Sequence, residues 1–547
     1  MTPAGGWNPP LAIGGTPRMI KVSATDVAST SACGRHLALK TRKVTSVDGW
    51  SRSFAPYGQD PFPLGDVIDL VALAHDGPGL DDYPAHTRWL DDQMRARGTH
   101  RLVRDYLIRA VDNVLEVHEE IEAELGPLRL VVLHPQIGSG DTILTAWGPL
   151  YEAGDGTREI RRVRVGAVRD EDDRLWTATA ANVAANHRDR FSRRVRVVEV
   201  GPLDGSHTVL FDGSADEARA LYATTARTRA RAVTEADHVV PCHSCGTCKA
   251  AGSCAALVPA DGFLGQATAG HKSRAVSPSS LAKHATCPAM WLMETELHLP
   301  RTGGDSPGAA RGRAVHLWLE AAHRRGVGCR PEDLSDAGGG TSLGLADGVL
   351  THDEYRTAHP YLVHHPAVCP LNDTGIAQVV HVEETIHSFD RTAEVLPTAK
   401  PDLVYRDADT LVVRELKTSE HPYLGGRDEA FDKHLQVPFL LRLLQTGLLA
   451  HHRATVGVVE VEVLTPDGAE VYTWRTDSPG VMAVAAEEVE RVAGPWHTDA
   501  IWPTRPGPHC GWCPVREWCP DRDAWESRAA AEGPHADPAV PEDEPPF

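Results

Sequence analysis

Residues 401–419 read PDLVYRDADTLVVRELKTS, two apolar runs divided by the polar tetrapeptide Arg406-Asp407-Ala408-Asp409. The pattern predicts two strands joined by a tight hairpin. Side chains alternate faces along a strand, so Glu415 and Lys417, two apart, share a face. The hairpin folds Asp402 back beside them. Two more stretches, RVRVVEVGPLDGSHTVLF (194–211) and TVGVVEVEVLTPDGAEVY (455–472), each pair a Val-Val-Glu-Val strand with a Gly-containing turn. Apolar residues at helical spacing mark GRAVHLWLEAAH (312–323) and HLQVPFLLRLL (434–444), the latter with an unusual internal Pro438. No run of about 18 apolar residues occurs, so no membrane-spanning helix is expected.

The same elements recur in the same order. VSATDVASTSAC (22–33) matches VSPSSLAKHATC (276–287), and in each a Ser can N-cap a short helix that presents a Cys. GDVIDLVALAH (65–75) parallels GRAVHLWLEAAH, with Asp69 in the place of His316. The two Val-Val-Glu-Val stretches follow. CGTCKAAGSC (245–254) then parallels CGWCPVREWC (510–519), both Cys-x-x-Cys-x5-Cys. Such ordered repetition predicts one domain present twice. The halves differ at the chemistry: between residues 130 and 200 no Pro-Asp is followed by Glu-x-Lys. The expected organisation is a flexible 1–20, a degenerate domain at 21–260, a complete domain at 261–527, and a disordered, acidic, Pro-rich tail at 528–547. Gly-rich insertions at 302–310 and 335–345 read as surface loops.

Length and composition agree with two domains. A chain of 547 residues exceeds one ordinary core. The N-terminus lacks the basic and apolar segments of a secretory signal, and a cytoplasmic location is expected. A net charge of −20 argues against nonspecific coating of nucleic acid. One stretch departs from it: residues 157–196 hold eleven Arg against six acidic residues, a candidate surface for a phosphate backbone. Eleven cysteines, five of them at Cys-x-x-Cys spacing, favour metal or cluster ligation over disulfides. GQATAGHKS (265–273) imitates a phosphate loop, but His stands where Gly and Lys must adjoin, so no motor is expected.

Two carboxylates and an ammonium at a strand end suit a Mg²⁺ or Mn²⁺ ion, with a cation left for a substrate phosphate. An acid-x-Lys pair alone marks only a solvated face; here it has company. Pro401-Asp402 and Glu415-x-Lys417 follow Gly312 and His316 on a helix, with Glu383 and Glu384 between and Gln436 downstream. Cys287 precedes them all, and Cys510, Cys513 and Cys519 close the region. Four thiolates of this kind suit a [4Fe–4S] cluster or a structural zinc.

This ordered set resembles RecB-type nucleases of the PD-(D/E)XK superfamily. More narrowly it resembles the branch stapled by an iron–sulfur cluster, as in AddB and the CRISPR-associated adaptation exonucleases. The resemblance spans 276–527 and implies an α/β fold, two tandem restriction-endonuclease-like domains with mixed sheets flanked by helices. It implies that His316, Asp402, Glu415 and the Leu416 carbonyl ligate the divalent cation, that Lys417 orients the attacking water, and that Gln436 positions Lys417 or DNA. Leu440 stands where the family usually has Tyr. A [4Fe–4S] staple on Cys287, Cys510, Cys513 and Cys519 is implied in the same way. In the first half Cys33, Cys245, Cys248 and Cys254, with Cys242 nearby, leave cluster, zinc or neither open. His323, Cys329 and Cys369 read as ordinary buried groups. The expected activity is DNA exonuclease or end-processing action on single strands or frayed ends, in repair, recombination or defence. A helicase partner in trans or a weakly catalytic DNA-binding scaffold are the other readings.

Overall fold

Valine-rich runs form an inner strand of each principal sheet, second from one edge, because β-branched side chains favour extended backbone and pack well on a pleated surface. The computed structural model describes residues 13–14, 20–44, 46–47, 63–75, 77, 80–139, 142–169, 173–189, 192–267, 274–302, 306–334, 350–372, 377–423, 425–525 and 527. The insertion at 335–345, the tail at 528–547 and most of 1–20 lie outside these residues, as do 303–305 of the other insertion and 268–273 of the imitation phosphate loop. Two compact units are present. The first comprises residues 1–254, 292–302 and 512–523; the second comprises 255–291, 303–511 and 524–547.

In the first unit the elements that matter are β1 (Ile20–Ser23), α1 (Ala24–Ala28), α2 (Pro63–Ala74), α3 (Arg104–Leu125), β2 (Leu128–Leu133), β3 (Gln136–Ser139), β4 (Thr142–Thr145), β5 (Pro149–Ala153), β6 (Arg158–Val163), α4 (Arg174–Asn186), β7 (Arg194–Gly201) and β8 (Ser206–Ser214). Five strands make a sheet in the order β8-β7-β6-β5-β2, with β6 and β7 parallel and every other pairing antiparallel. A parallel pair needs a crossover, supplied here by α4. Its run of Ala and Thr is buried from Trp176 to Ala185, so the helix seats closely on the sheet. β7 is buried at all but its first residue, as expected of a strand covered on both faces.

The second unit contains β9 (Ala275–Val276), α5 (Pro278–Thr286), α6 (Pro307–His323), α7 (His352–Leu362), β10 (Ala377–Val382), β11 (Ile386–Phe389), β12 (Leu396–Ala399), β13 (Leu403–Asp407), β14 (Thr410–Thr418), α8 (Gln436–Leu443), β15 (Val456–Thr465), β16 (Gly468–Arg475) and α9 (Pro479–Thr498). Its five-stranded sheet runs β16-β15-β14-β13-β10, again with a single parallel pair, β14 with β15, at the same place. Minor sheets match too. β1 runs parallel to β4 and β3 antiparallel to it; β9 runs parallel to β12 and β11 antiparallel to it.

Each minor sheet leads into a helix held by a reciprocal cap. The Ser23 hydroxyl accepts the Asp26 N–H at 3.1 Å, and Asp26 accepts the Ser23 N–H at 3.0 Å. Ser277 and Ser280 make the same exchange at 3.1 and 2.9 Å. Each cap satisfies end N–H groups that have no intrahelical partner and contributes about 1 kcal/mol. Pro438 also finds a reason: α8 starts at Gln436, so the proline sits in the first turn, where no N–H donation is required. The 401–419 hairpin turns through Ala408 and Asp409, with Ala408 left-handed at φ 53°. The molecule is thus a mixed α/β protein, with mixed sheets flanked by helices.

Candidate active site

The hairpin register sets Leu403 opposite Arg414, which leaves Asp402 opposite Glu415. Asp402 Oδ2 accepts the Leu416 N–H at 2.5 Å, so one carboxylate oxygen is fixed by backbone. Lys417 lies on the Glu415 face of β14, with Nζ 3.6 Å from Glu415 Oε2. From α6, His316 Nδ1 reaches Asp402 Oδ1 at 2.7 Å and Glu383 Oε1 at 3.3 Å. Glu383 follows β10 in a left-handed conformation, φ 53°, and its N–H donates to the Asp402 carbonyl at 3.1 Å. Lys400 Nζ holds the other Glu383 oxygen at 2.6 Å. Ligand-type atoms of His316, Glu383 and Asp402 all lie within 4.8 Å of one another. Beside them a cavity of about 10 Å³, lined also by Leu416 and Glu462, has room for one water or ion.

Burial and proximity divide the protons unevenly. Burial, reinforced by the nearby Asp402 charge and opposed by Lys417, raises the Glu415 carboxyl to about 8. Burial would also raise Asp402, but His316 and Lys417 outweigh it and hold that carboxyl well below the usual range. Burial opposes the His316 charge, yet Asp402 and Glu383 lift the imidazole to about 10. With no cation present, the site therefore holds an imidazolium–carboxylate pair beside a neutral acid. Buried groups with displaced pKa values in one cleft mark a functional-site candidate.

The predicted residues fare differently. His316, Asp402, Glu415 and Lys417 meet at one strand end. Glu415, however, stands outside the three-residue ligand group, and Glu383 takes that place. Glu384 turns away to His381 at 2.7 Å on the surface. Leu416 buries its side chain in the core and donates its N–H to Asp402. Gln436 opens α8, and none of the contacts among the described residues joins it to the acids. Lys400 and His434 carried no sequence signal. His434 hydrogen-bonds Tyr423 at 2.8 Å, and burial followed by Lys417 and Lys433 lowers it to about 3.

Cys287 and Cys510 belong to the second unit, Cys513 and Cys519 to the first. Among the described residues, two groups of three or more ligand-type side chains gather within 4.8 Å, and neither contains a cysteine of the predicted sets. In the first unit the Cys33 thiol donates to the His238 carbonyl at 3.8 Å, and the Cys242 N–H donates to Cys245 Sγ at 3.3 Å. The second ligand group is His323, Cys329, His365 and Cys369; the sequence reads the first, second and fourth as ordinary buried groups and gives no signal for His365.

Register also shows what replaced the acids in the first unit. Residues 412–415 pair with 458–461 of one Val-Val-Glu-Val run, and 160–163 pair with 197–200 of the other. Val163 therefore occupies the position of Glu415. Continuing both registers puts Val165 at Lys417 and Trp147 at Asp402. These three residues line a cavity of about 850 Å³ that also presents Lys21, Lys43, Arg164 and Arg169. The Arg-rich stretch is not one wet stripe, however. Arg158, Arg161 and Arg196 are buried, bonded respectively to the Ala184 carbonyl at 3.0 Å, Glu159 at 2.7 Å and Glu124 at 3.0 Å.

The mixed sheet thus gathers a histidine, three acids and a lysine at the end of one hairpin, an arrangement that makes this cleft the candidate active site. Residues 275–520 match the family described as PD-(D/E)XK nuclease superfamily, so this stretch carries a domain of that superfamily. No curated protein matches the chain. A solved structure described as "Crystal structure of SSO0001" aligns with 45% of this chain and 87% of that chain at 13% identity, with a TM-score of 0.23.

Proposed function

We propose that the second unit is a divalent-metal-dependent deoxyribonuclease, acting as an exonuclease or end-processing enzyme on single strands or frayed ends in repair, recombination or defence. The superfamily match at 275–520 supports the nuclease class. One observation carries the site: His316, Asp402 and Glu383 converge within 4.8 Å beside Glu415 and Lys417. Carboxylates and one imidazole fit a hard cation, and the cavity beside them is of ion size.

His316, Asp402, Glu415 and the Leu416 carbonyl are the ligands we assign to Mg²⁺ or Mn²⁺, with Glu383 added. When bound, such an ion lowers the pKa of a coordinated water and offsets charge on the scissile phosphate. Lys417 orients that water and stabilises charge developing on the phosphate. The Leu416 N–H and His316 hold Asp402 in place before substrate arrives, and Lys400 does the same for Glu383. Gln436, in the first turn of α8, positions Lys417 or DNA.

The first unit, with Trp147, Val163 and Val165 at the acid and lysine positions, is a DNA-holding module. Its cavity lined by Lys21, Lys43, Arg164 and Arg169 supports that role. A [4Fe–4S] staple on Cys287, Cys510, Cys513 and Cys519 rests on spacing and resemblance, and iron and sulfide determination on anaerobically purified protein tests it. A helicase acting in trans is tested by pull-down from the native host. No helix among the described residues is long and apolar enough to cross a membrane. The decisive assay uses the full chain purified anaerobically, Mn²⁺ or Mg²⁺, and end-labelled single- and double-stranded DNA. Cutting that is lost in Lys417→Ala supports the reading; no metal-dependent cutting of any DNA ends it.

A further inference from the structure

Two turns beyond His316, the last residue of α6 points into the core of the second unit. There His323 meets Cys329, His365 and Cys369, with every ligand-type atom within 4.8 Å of the others. His323 and His365 face each other Nε2 to Nε2 at 3.2 Å, and Cys369 Sγ lies 4.0 Å from His323 Nε2. The four are 4%, 1%, 0% and 6% exposed for His323, Cys329, His365 and Cys369, within a core of Trp318, Tyr355, Leu362 and Leu464. Both cysteines are free thiols.

We propose that these four side chains form a structural zinc site whose ligands differ from those assigned to the nuclease centre. Two thiolates and two imidazoles are the borderline-soft donor set that selects Zn²⁺ over Mg²⁺ or Ca²⁺. Zn–N bonds of about 2.0–2.1 Å and Zn–S bonds of about 2.3 Å give tetrahedral edges of roughly 3.3–3.8 Å. The 3.2 and 4.0 Å separations bracket that range. Four protein donors leave no open position, which makes the site structural rather than catalytic.

The surroundings fit the same ion. Buried Glu462 on β15 accepts from His365 Nδ1 at 2.6 Å, so His365 Nε2 presents a lone pair to the centre of the group. A carboxylate behind a histidine is the usual support of a zinc ligand. Arg414 binds Glu462 at 3.0 Å and the Val368 carbonyl at 2.8 Å, fixing both the carboxylate and the turn before Cys369. In a metal-free core the two facing imidazole nitrogens share a single hydrogen bond between them. An ion bonds all four. It also fastens the end of α6 to the turn after α7, and α6 is the helix that delivers His316.

The test is zinc content of the full, tag-free chain after dialysis against a mild chelator, followed by zinc X-ray absorption. Bound zinc with a mixed sulfur and imidazole shell is expected. Cys369→Ser and Cys329→Ser should each remove a single equivalent, leaving zinc held elsewhere by other cysteines unchanged. Glu462→Gln should weaken zinc affinity about 10- to 100-fold. Absence of zinc from the wild-type chain overturns the proposal, and so does a sulfur-only shell. A Cys329–Cys369 disulfide found by thiol mapping does the same. The absorption spectrum is read on the wild-type chain, so a variant that fails to fold leaves the proposal open to refutation.

Discussion

The two principal sheets have the same strand order, the same single parallel pair and the same capped helix beside each minor sheet, yet opposite chemistry at one strand end. In the second unit that end holds Asp402, Glu415 and Lys417. In the first it holds Trp147, Val163 and Val165, with lysines and arginines around the cavity. The backbone plan is set by Val-rich strands, small-residue crossovers and caps, which neither unit has lost. Chemistry rests on a few side chains whose replacement leaves the sheet intact. One backbone plan therefore carries two different sets of side chains at the same strand end.

The sharpest way to break the comparison is to remove the acids. Asp402→Ala with Glu415→Ala should abolish metal-dependent cutting of end-labelled DNA, and Lys417→Ala alone should cost at least about 10²-fold in kcat. Trp147→Ala should leave kcat unchanged. Residual metal-dependent cutting by the Asp402/Glu415 double variant would mean that the first unit still catalyses.

Stability should separate the units next. Arg414 is buried between Glu460 at 2.7 Å and Glu462 at 3.0 Å. Its counterpart by register, Arg162, is more accessible and bonds chiefly to Asp173 at 2.7 Å, with Glu199 at 3.6 Å. Arg414→Ala leaves fully buried Glu462 without its guanidinium partner and should cost about 3–5 kcal/mol. Arg162→Ala should cost less. Urea unfolding followed separately for each unit measures the difference, and equal losses would erase it.

Acidity sharpens the contrast further, since the proposed ion site of the second unit must give up protons to bind its ion. Glu415 keeps its proton up to about 8 and His316 up to about 10, against 4.5 and 6.5 ordinarily. Both folded values are raised, so the metal-free native state binds more protons than the unfolded chain over those intervals. The stability these two groups contribute is accordingly lost as pH rises from 4.5 through about 10. Metal affinity runs the other way, gaining about tenfold per pH unit for each proton displaced. Calorimetric titration with Mn²⁺ between pH 6 and 9 should show affinity climbing and protons released. A flat profile would contradict this account of the site.

Much of this was legible in the chain. Alternation on 401–419 gave the hairpin, and Val-Val-Glu-Val with its turn gave the paired strands. Gly312 and His316 on a helix gave the third wall of the site. What stayed hidden depended on tertiary placement. Glu383 and Glu384 are adjacent, and only the left-handed backbone at Glu383 sends one inward and the other out to His381. His323 and Cys369 are far apart in sequence, so neither His-x5-Cys nor His-x3-Cys alone signals a ligand group. The Arg-rich stretch splits into buried, bonded groups and cavity walls because β6 and β7 pair side by side within one sheet, which residue counting cannot reveal.

The smallest expected effect concerns DNA itself. If the first unit's cavity tracks a phosphate backbone, Lys21→Ala and Lys43→Ala should weaken single-stranded DNA binding alike for every sequence. Each should lower the slope of log affinity against log salt by about 1, because each lost contact releases fewer counterions. kcat on saturating DNA should not change, since both lysines belong to the first unit and the proposed nuclease residues to the second. Fluorescence anisotropy at several salt concentrations measures the slope. An unchanged slope in both variants would leave the cavity with no part in holding DNA, and the first unit would then differ from the second by loss alone rather than by exchange of acids for cations.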